Sequence, residues 1–247
     1  MKRAYIRSIL YNILFFGLTA IACLSCLPAL VMPRKIAMGV VYGFVHTNLF
    51  LEKAVLGLSY EVRGMENLPK EGSYILAAKH QSAYETMKLH ILFGDPAIVL
   101  KKELLRIPLW GWYLGKSDVI AIDRSSRNAA IESLRSGALR MKEQGRPIVI
   151  FPQGTRVCVD ATTKEKPYKV GVARVQEATG LPIIPMAMNA GIFWPRNAFW
   201  KSSGRIVFEF LPPIDPELET SALLKKLEHD IEGTSIALMN EAREHYG

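Results

Sequence analysis

Apolar and polar positions divide the chain near residue 58. Ahead of that point, Ser8 to Met32 carries no charge, and a second uncharged stretch runs from Ile36 to Leu51. A membrane-spanning helix needs about 20 apolar residues, so the first stretch is long enough. Lys2, Arg3 and Arg7 precede it, and Arg34 and Lys35 follow it. Basic residues at both ends suit a helix lying in the membrane interface, where their side chains reach the headgroups. A deep hairpin would carry Arg34 and Lys35 into hydrocarbon, which is costly. A single span stays open, because the charge asymmetry is too small to orient it. A cleaved signal peptide fits less well: the apolar run exceeds a typical signal core and no clear cleavage site follows. A buried core helix is the remaining alternative.

From about Tyr60 the pattern changes to short apolar runs alternating with helical stretches. The runs predict strands over Tyr60–Arg63, Ser73–Ala78, Ala97–Leu100, Val119–Ile122, Pro147–Phe151, Ile183–Ala187 and Ile206–Leu211. Helical spacing predicts helices over Ala83–Phe93, Asn128–Gln144, Val170–Thr179 and Pro216–Tyr246. In the second of these, Ile131, Leu134, Ala138 and Met141 recur on one face, and Gln144-Gly145 is a stop signal. Alternating strands and helices predict an α/β fold with a central mixed or mostly parallel sheet flanked by helices. The expected division is 1–58, hydrophobic membrane-associated helices, and 59–247, a layered α/β domain.

Composition narrows the function. Hydrophobic residues make up 49% of the 247, enough for a large core with apolar surface left for a bilayer. The formal net charge is +8. No nucleic-acid motif accompanies it, so the expected partners are membrane lipids and acidic substrates rather than nucleic acid. Cys23, Cys26 and Cys158 are odd in number and make no metal pattern, so no metal site is expected. A reducing setting fits the globular part, which places the chain at the cytoplasmic face of an inner or plasma membrane. Cys158 reads as an inert thiol rather than a nucleophile.

The candidate chemistry lies at the ends of the predicted strands. His80 follows the run Ile75–Ala78, and Glu85 lies five residues on. A neutral imidazole takes up a proton near pH 7, and a carboxylate beside it fixes its tautomer and stabilises its charged form. A competing role is structural, since Ser82-Ala83-Tyr84-Glu85 reads as a helix capping box; the two roles are compatible. With His80 as general base, a substrate hydroxyl attacks an acyl carbonyl and no enzyme residue need be acylated. Gln153, Gly154 and Thr155, after the fifth strand, offer a turn and a hydroxyl as a substrate or oxyanion region. Arg124, Arg156 and the pair Lys101 and Lys102 follow three different strands. Strand ends along one sheet edge are neighbours, so these cations can converge on one phosphate; unrelated surface charges are the alternative.

Together these segments resemble the 1-acylglycerol-3-phosphate acyltransferase family of glycerolipid acyltransferases. Its blocks are a histidine followed after four residues by an acid (His80, Glu85), then Ile122-Asp123-Arg124, then Phe-Pro-Glu-Gly-Thr-Arg (Phe151 to Arg156), then Pro182–Pro185. They occur in order, and the likeness extends from about Tyr60 to Pro213. The resemblance implies a glycerolipid acyltransferase-type fold and transfer of an acyl group from acyl-CoA or acyl carrier protein to lysophosphatidic acid, giving phosphatidic acid. It implies His80 as base, Glu85 as its orienter, and Arg124, Arg156 and the lysine pair as phosphate ligands. The thioester is a co-substrate, and no resident cofactor is implied. An apolar tunnel for the acyl chain is also implied, though the sequence does not say which residues line it. Three departures stand out: Glu85 where Asp is usual, Lys79 where Asn often precedes the histidine, and neutral Gln153 where Glu is usual. They keep three alternatives in view: another lyso-lipid acceptor such as a lyso-ornithine lipid, a thioester hydrolase, and a non-catalytic lipid-binding protein.

Overall fold

A computed structural model describes residues 3–247, so Lys2 lies outside the described residues. Helix α1 (Tyr5–Ser25) and helix α2 (Arg34–Leu51) form an N-terminal pair, and α2 runs on through a π-helical turn over Glu52–Leu56. Then come β1 (Leu58–Arg63), β2 (Ile75–Ala78), α3 (Tyr84–Phe93), β3 (Ala97–Lys101), α4 (Trp110–Lys116), β4 (Ile120–Ile122) and α5 (Arg127–Glu143). The chain closes with β5 (Ile148–Ile150), α6 (Gly171–Thr179), β6 (Ile183–Met188), α7 (Ala190–Phe193), β7 (Gly204–Phe210) and α8 (Thr220–Tyr246).

The seven strands form one sheet in the order β1-β7-β6-β2-β5-β3-β4. β6, β2, β5, β3 and β4 run parallel, and β7 meets β6 antiparallel, carrying β1 parallel to itself. The sheet is thus mixed and mostly parallel, as the alternating pattern predicts. Its central strands read as unbroken apolar runs because both faces are covered. In β2, Leu76 and Ala78 enter one core with Tyr11, Tyr84, Leu89 and Phe193, while Ile75 and Ala77 enter the other with Leu134, Val172, Leu227 and Ile231. Each such large apolar side chain contributes about 1.5–3 kcal/mol when fully buried. α5 approaches the sheet closely at Gly137, where an added Cβ would stand 2.7 Å from Ile120 Cγ2.

The N-terminal pair is not a separate layer. Tyr11 of α1 and Leu56 of the π turn are fully buried in the first core. The backbone N–H of Ala4 donates to Lys201 O at 3.0 Å, and Lys201 Nζ, itself buried, donates to Asn12 Oδ1 at 2.7 Å. α1 is long and apolar enough to cross a membrane by length and composition, yet its start is fastened to the α/β domain. Its outer face exposes Ile6, Ile13, Phe16 and Ile21.

Candidate active site

Four adjacent parallel strands, β2, β5, β3 and β4, deliver their carboxyl ends to one edge of the sheet. His80 follows β2, Pro152 to Arg156 follow β5, Lys101 ends β3, and Arg124 follows β4. The crevice beyond such strand ends is where open α/β sheets bind ligands.

His80 Nδ1 lies 2.8 Å from Glu85 Oε1. The same oxygen accepts the backbone N–H groups of Gln81 at 2.8 Å and Ser82 at 2.7 Å. An oxygen accepting two backbone N–H groups is not a hydroxyl, so Nδ1 carries the proton and donates, leaving Nε2 as the acceptor nitrogen. Ser82 Oγ accepts from Tyr84 N at 3.1 Å. Glu85 therefore satisfies the start of α3 and orients the imidazole with one fully buried oxygen. The Phe151 ring stacks on His80, centroids 3.9 Å apart and planes 18° apart, and so covers one face of the imidazole.

One turn further along α3, Lys88 pairs with Glu52 of the π turn, both fully buried. Asn48 Nδ2 donates to Glu52 Oε1 at 2.7 Å, and the Tyr11 hydroxyl donates to Asn48 Oδ1 at 2.7 Å. Burial pushes the Glu52 carboxyl up and the Lys88 ammonium down from their ordinary values, while their attraction opposes both. Breaking such a pair by removing one partner costs about 3–5 kcal/mol. The helix that carries Glu85 is thereby tied to both N-terminal helices. Lys79, the residue before His80, is also buried and pairs with Glu232 of α8, which accepts the Tyr168 hydroxyl at 2.9 Å.

His80 lines a cavity of about 450 Å³. Its walls are apolar, from Ala22 of α1, Val41 and Phe44 of α2, Met87 of α3, and Tyr113 and Leu114 of α4. Its polar lining includes His80, Lys101, Arg124, Thr155, Arg156 and Lys169 towards the strand ends, with His90 and Ser117 among the other polar residues. Arg124 Nη2 lies 3.4 Å from Gly154 O; the Gly154 N–H closes a turn on Phe151 O at 2.8 Å, and its φ of +68° redirects the chain beyond that turn. That N–H is committed to the turn.

The expected residues thus divide. His80, Lys101, Arg124, Gly154, Thr155 and Arg156 line the cavity, and Glu85 stands behind His80, fully buried. Lys102 does not line it: it is exposed and pairs with Asp123 at 3.0 Å, outside the lining. Asp123 also accepts the Ser125 N–H at 3.0 Å, and these partners hold its carboxyl down to about 2. Gln153 is buried beneath the lining, with its amide donating to Lys166 O at 3.0 Å, so it braces the following loop rather than facing a substrate. Lys169 was not marked by the sequence, where nothing separates it from Lys164 and Lys166 of the same loop.

Comparison with known proteins gives a consistent setting. The family model described as Acyltransferase matches residues 59–189, just over half the chain. A 1-acyl-sn-glycerol-3-phosphate acyltransferase of Pseudomonas aeruginosa is 37% identical over 191 residues, covering 75% of this chain and 73% of that protein. One from Saccharomyces cerevisiae is 32% identical over 168 residues, 67% of this chain and 54% of the yeast protein. A crystal structure of a 1-acyl-sn-glycerophosphate acyltransferase from Thermotoga maritima superposes with TM-score 0.74 at 21% identity, covering 95% of this chain and 97% of that one, and so shares the fold.

Proposed function

The chain belongs to the acyltransferase family, and from that premise we propose that it acylates the free hydroxyl of 1-acyl-sn-glycerol-3-phosphate to give phosphatidic acid. The acceptor oxygen attacks the carbonyl carbon of an acyl thioester while His80 Nε2 takes the hydroxyl proton. The tetrahedral intermediate collapses, the C–S bond breaks, and the imidazolium returns its proton to the departing sulfur. Products are the new ester and a free thiol. Glu85 holds the tautomer that leaves Nε2 free and stabilises the imidazolium. The cations at the cavity mouth receive the phosphate, and the apolar walls between α1, α2 and α4 receive an acyl chain.

The observation that carries the reading is the His80–Glu85 contact, with its Nδ1–H fixed by Glu85, at the polar end of an apolar cavity. The donor is the thioester of coenzyme A or of acyl carrier protein. We place the chain at the cytoplasmic face of a membrane, with α1 lying in the interface. A helix fastened at its start to the polar domain, with its outer face apolar, meets the bilayer sideways. The test is a transfer assay with purified protein on a lyso-lipid panel, with and without the phosphate and with both donors. Acylation confined to lysophosphatidic acid supports the reading, and acylation of a phosphate-free lyso-lipid alone overturns it.

A further inference from the structure

The loop 157–170 leaves the site at Val157, whose N–H donates to His80 O at 2.8 Å, and returns to it at Lys169, whose N–H donates to Pro152 O at 2.9 Å. Between these points two side chains fasten it. Gln153 Nε2 reaches Lys166 O, and the Tyr168 hydroxyl reaches Glu232 of α8. Loops of this length without secondary structure are uncommon in compact domains unless they serve a function. The fastening sets Lys169 against the turn at Gly154, where a Cβ would meet its Nζ at 3.1 Å. Arg124 bonds the same glycine's carbonyl, and Arg156 lies two residues on.

We propose that Lys169 is a further cationic ligand, beside Lys101, Arg124 and Arg156, for the phosphate monoester of the acceptor. The proposal deepens the function proposed above and rests on it for the identity of the anion. Among the described residues, no carboxylate lies within ion-pair distance of Lys101, Arg124, Arg156 or Lys169; the carboxylate on that edge, Asp123, is taken by Lys102. A cluster of cations with no counter-charge, lining one cavity, is complementary to a dianion. The side chain stays accessible from solvent at the mouth, as a ligand for an incoming headgroup must.

The charges facing Lys169 are Arg124 after β4, Lys101 at the end of β3 and Lys166 of its own loop. Partial burial, and then these like charges, push its ammonium down from the ordinary lysine range. A bound phosphate reverses that repulsion. Above pH 7 the phosphate is already dianionic, its second ionisation lying near 6. Loss of the Lys169 proton at alkaline pH therefore weakens binding, whereas an arginine at 169 stays charged throughout.

The experiment measures binding of 1-acyl-glycerol-3-phosphate to the full chain by calorimetry from pH 7 to 10, alongside KM values in the transfer assay. Lys169→Met should raise the acceptor Kd at pH 7 by about tenfold to a hundredfold, the span of one charge-assisted hydrogen bond. It should leave binding of 1-acyl-glycerol and the donor KM unchanged, with either donor. Lys169→Arg should keep the neutral-pH affinity and shift the alkaline weakening to higher pH, since Lys101 remains at the site. The Lys169 backbone contact survives both changes, so melting should not move. An unchanged acceptor Kd in Lys169→Met, or an alkaline limb that does not move in Lys169→Arg, overturns the proposal. A raised CoA-donor KM alone would assign Lys169 to the carrier's phosphate and overturns it as well. Lys169-dependent binding without turnover would refute the proposed function and leave this inference standing.

Discussion

Replacing Glu85 in two ways separates the two tasks of its single buried oxygen. In Glu85→Gln the amide oxygen can still accept from Gln81 N, Ser82 N and His80 Nδ1, so the start of α3 keeps its partners but the charge is gone. Hydrogen bonds to a charged group contribute roughly 1.5–3 kcal/mol against about 1 for neutral ones, so the two backbone bonds together weaken by about 1–4 kcal/mol. Glu85 Oε2 is buried without a partner, so the amide nitrogen that replaces it adds an unsatisfied donor. For a chain of this size about 1 kcal/mol moves the melting temperature by about 2–4 °C, and a drop of roughly 2–16 °C is expected. The effect on turnover is larger. The charge that stabilises the imidazolium is lost, and base catalysis of this kind supplies about 10²–10⁴-fold, so kcat should fall by that order while the acceptor KM stays within threefold. Glu85→Ala leaves two buried N–H groups unpaired at about 1–3 kcal/mol each and should melt several degrees lower still. The assays are steady-state kinetics beside thermal melts for wild type and both variants. A Glu85→Gln protein with lowered melting temperature but wild-type kcat would refute the orienting role and leave Glu85 as a helix cap alone.

Two further outcomes follow from the way α1 is fastened and exposed. Burial pushes the Lys201 ammonium down to about 8, below the value of about 10.4 expected for an unfolded chain. Between those values the unfolded chain holds the proton that the folded chain has lost, so stability rises with pH across that window. Lys201→Met should flatten the rise seen in thermal melts from pH 7 to 10; parallel curves for the two proteins would contradict it. On the opposite face, changing Ile6, Ile13 and Phe16 to serine should lower vesicle binding at least a hundredfold. Each side chain contributes about 1.5–3 kcal/mol when buried in an apolar phase. Sedimentation with vesicles that matches wild type would contradict the interfacial placement of α1.

The strands were legible because the buried central strands are short continuous apolar runs bounded by turn residues. β2, with every residue buried, is the clearest case, and all seven expected strands fall within the sheet. The four longer helices after residue 58 carry apolar residues at helical spacing and were equally legible. α4 was not: it is seven residues long, two are glycine, and Trp110 and Trp112 stay exposed, so no apolar face repeats. It also begins after Leu109 at φ +64°, a conformation no leucine advertises. That His80, Lys101, Arg124 and Arg156 share one cavity was legible because position along the sheet edge is encoded in the strand pattern. Gln153 and Lys102 were misjudged for the converse reason. Whether a side chain at a strand end turns into the crevice or away from it depends on partners far along the chain, Lys166 and Asp123 here. Lys169 carries no mark in the sequence because its place at the cavity is set by contacts of its loop with Pro152, Gln153 and Glu232, all distant from it along the chain.

In the proposed reaction His80 removes the proton from the acceptor hydroxyl. The most direct measurement is the rate of labelled phosphatidic acid formation by purified His80→Ala protein, given lysophosphatidic acid and an acyl thioester, beside wild type. The ring is half-buried and stacked on Phe151, so melting should change modestly while turnover falls by at least a hundredfold. Near-wild-type turnover by a folded His80→Ala protein would contradict the account.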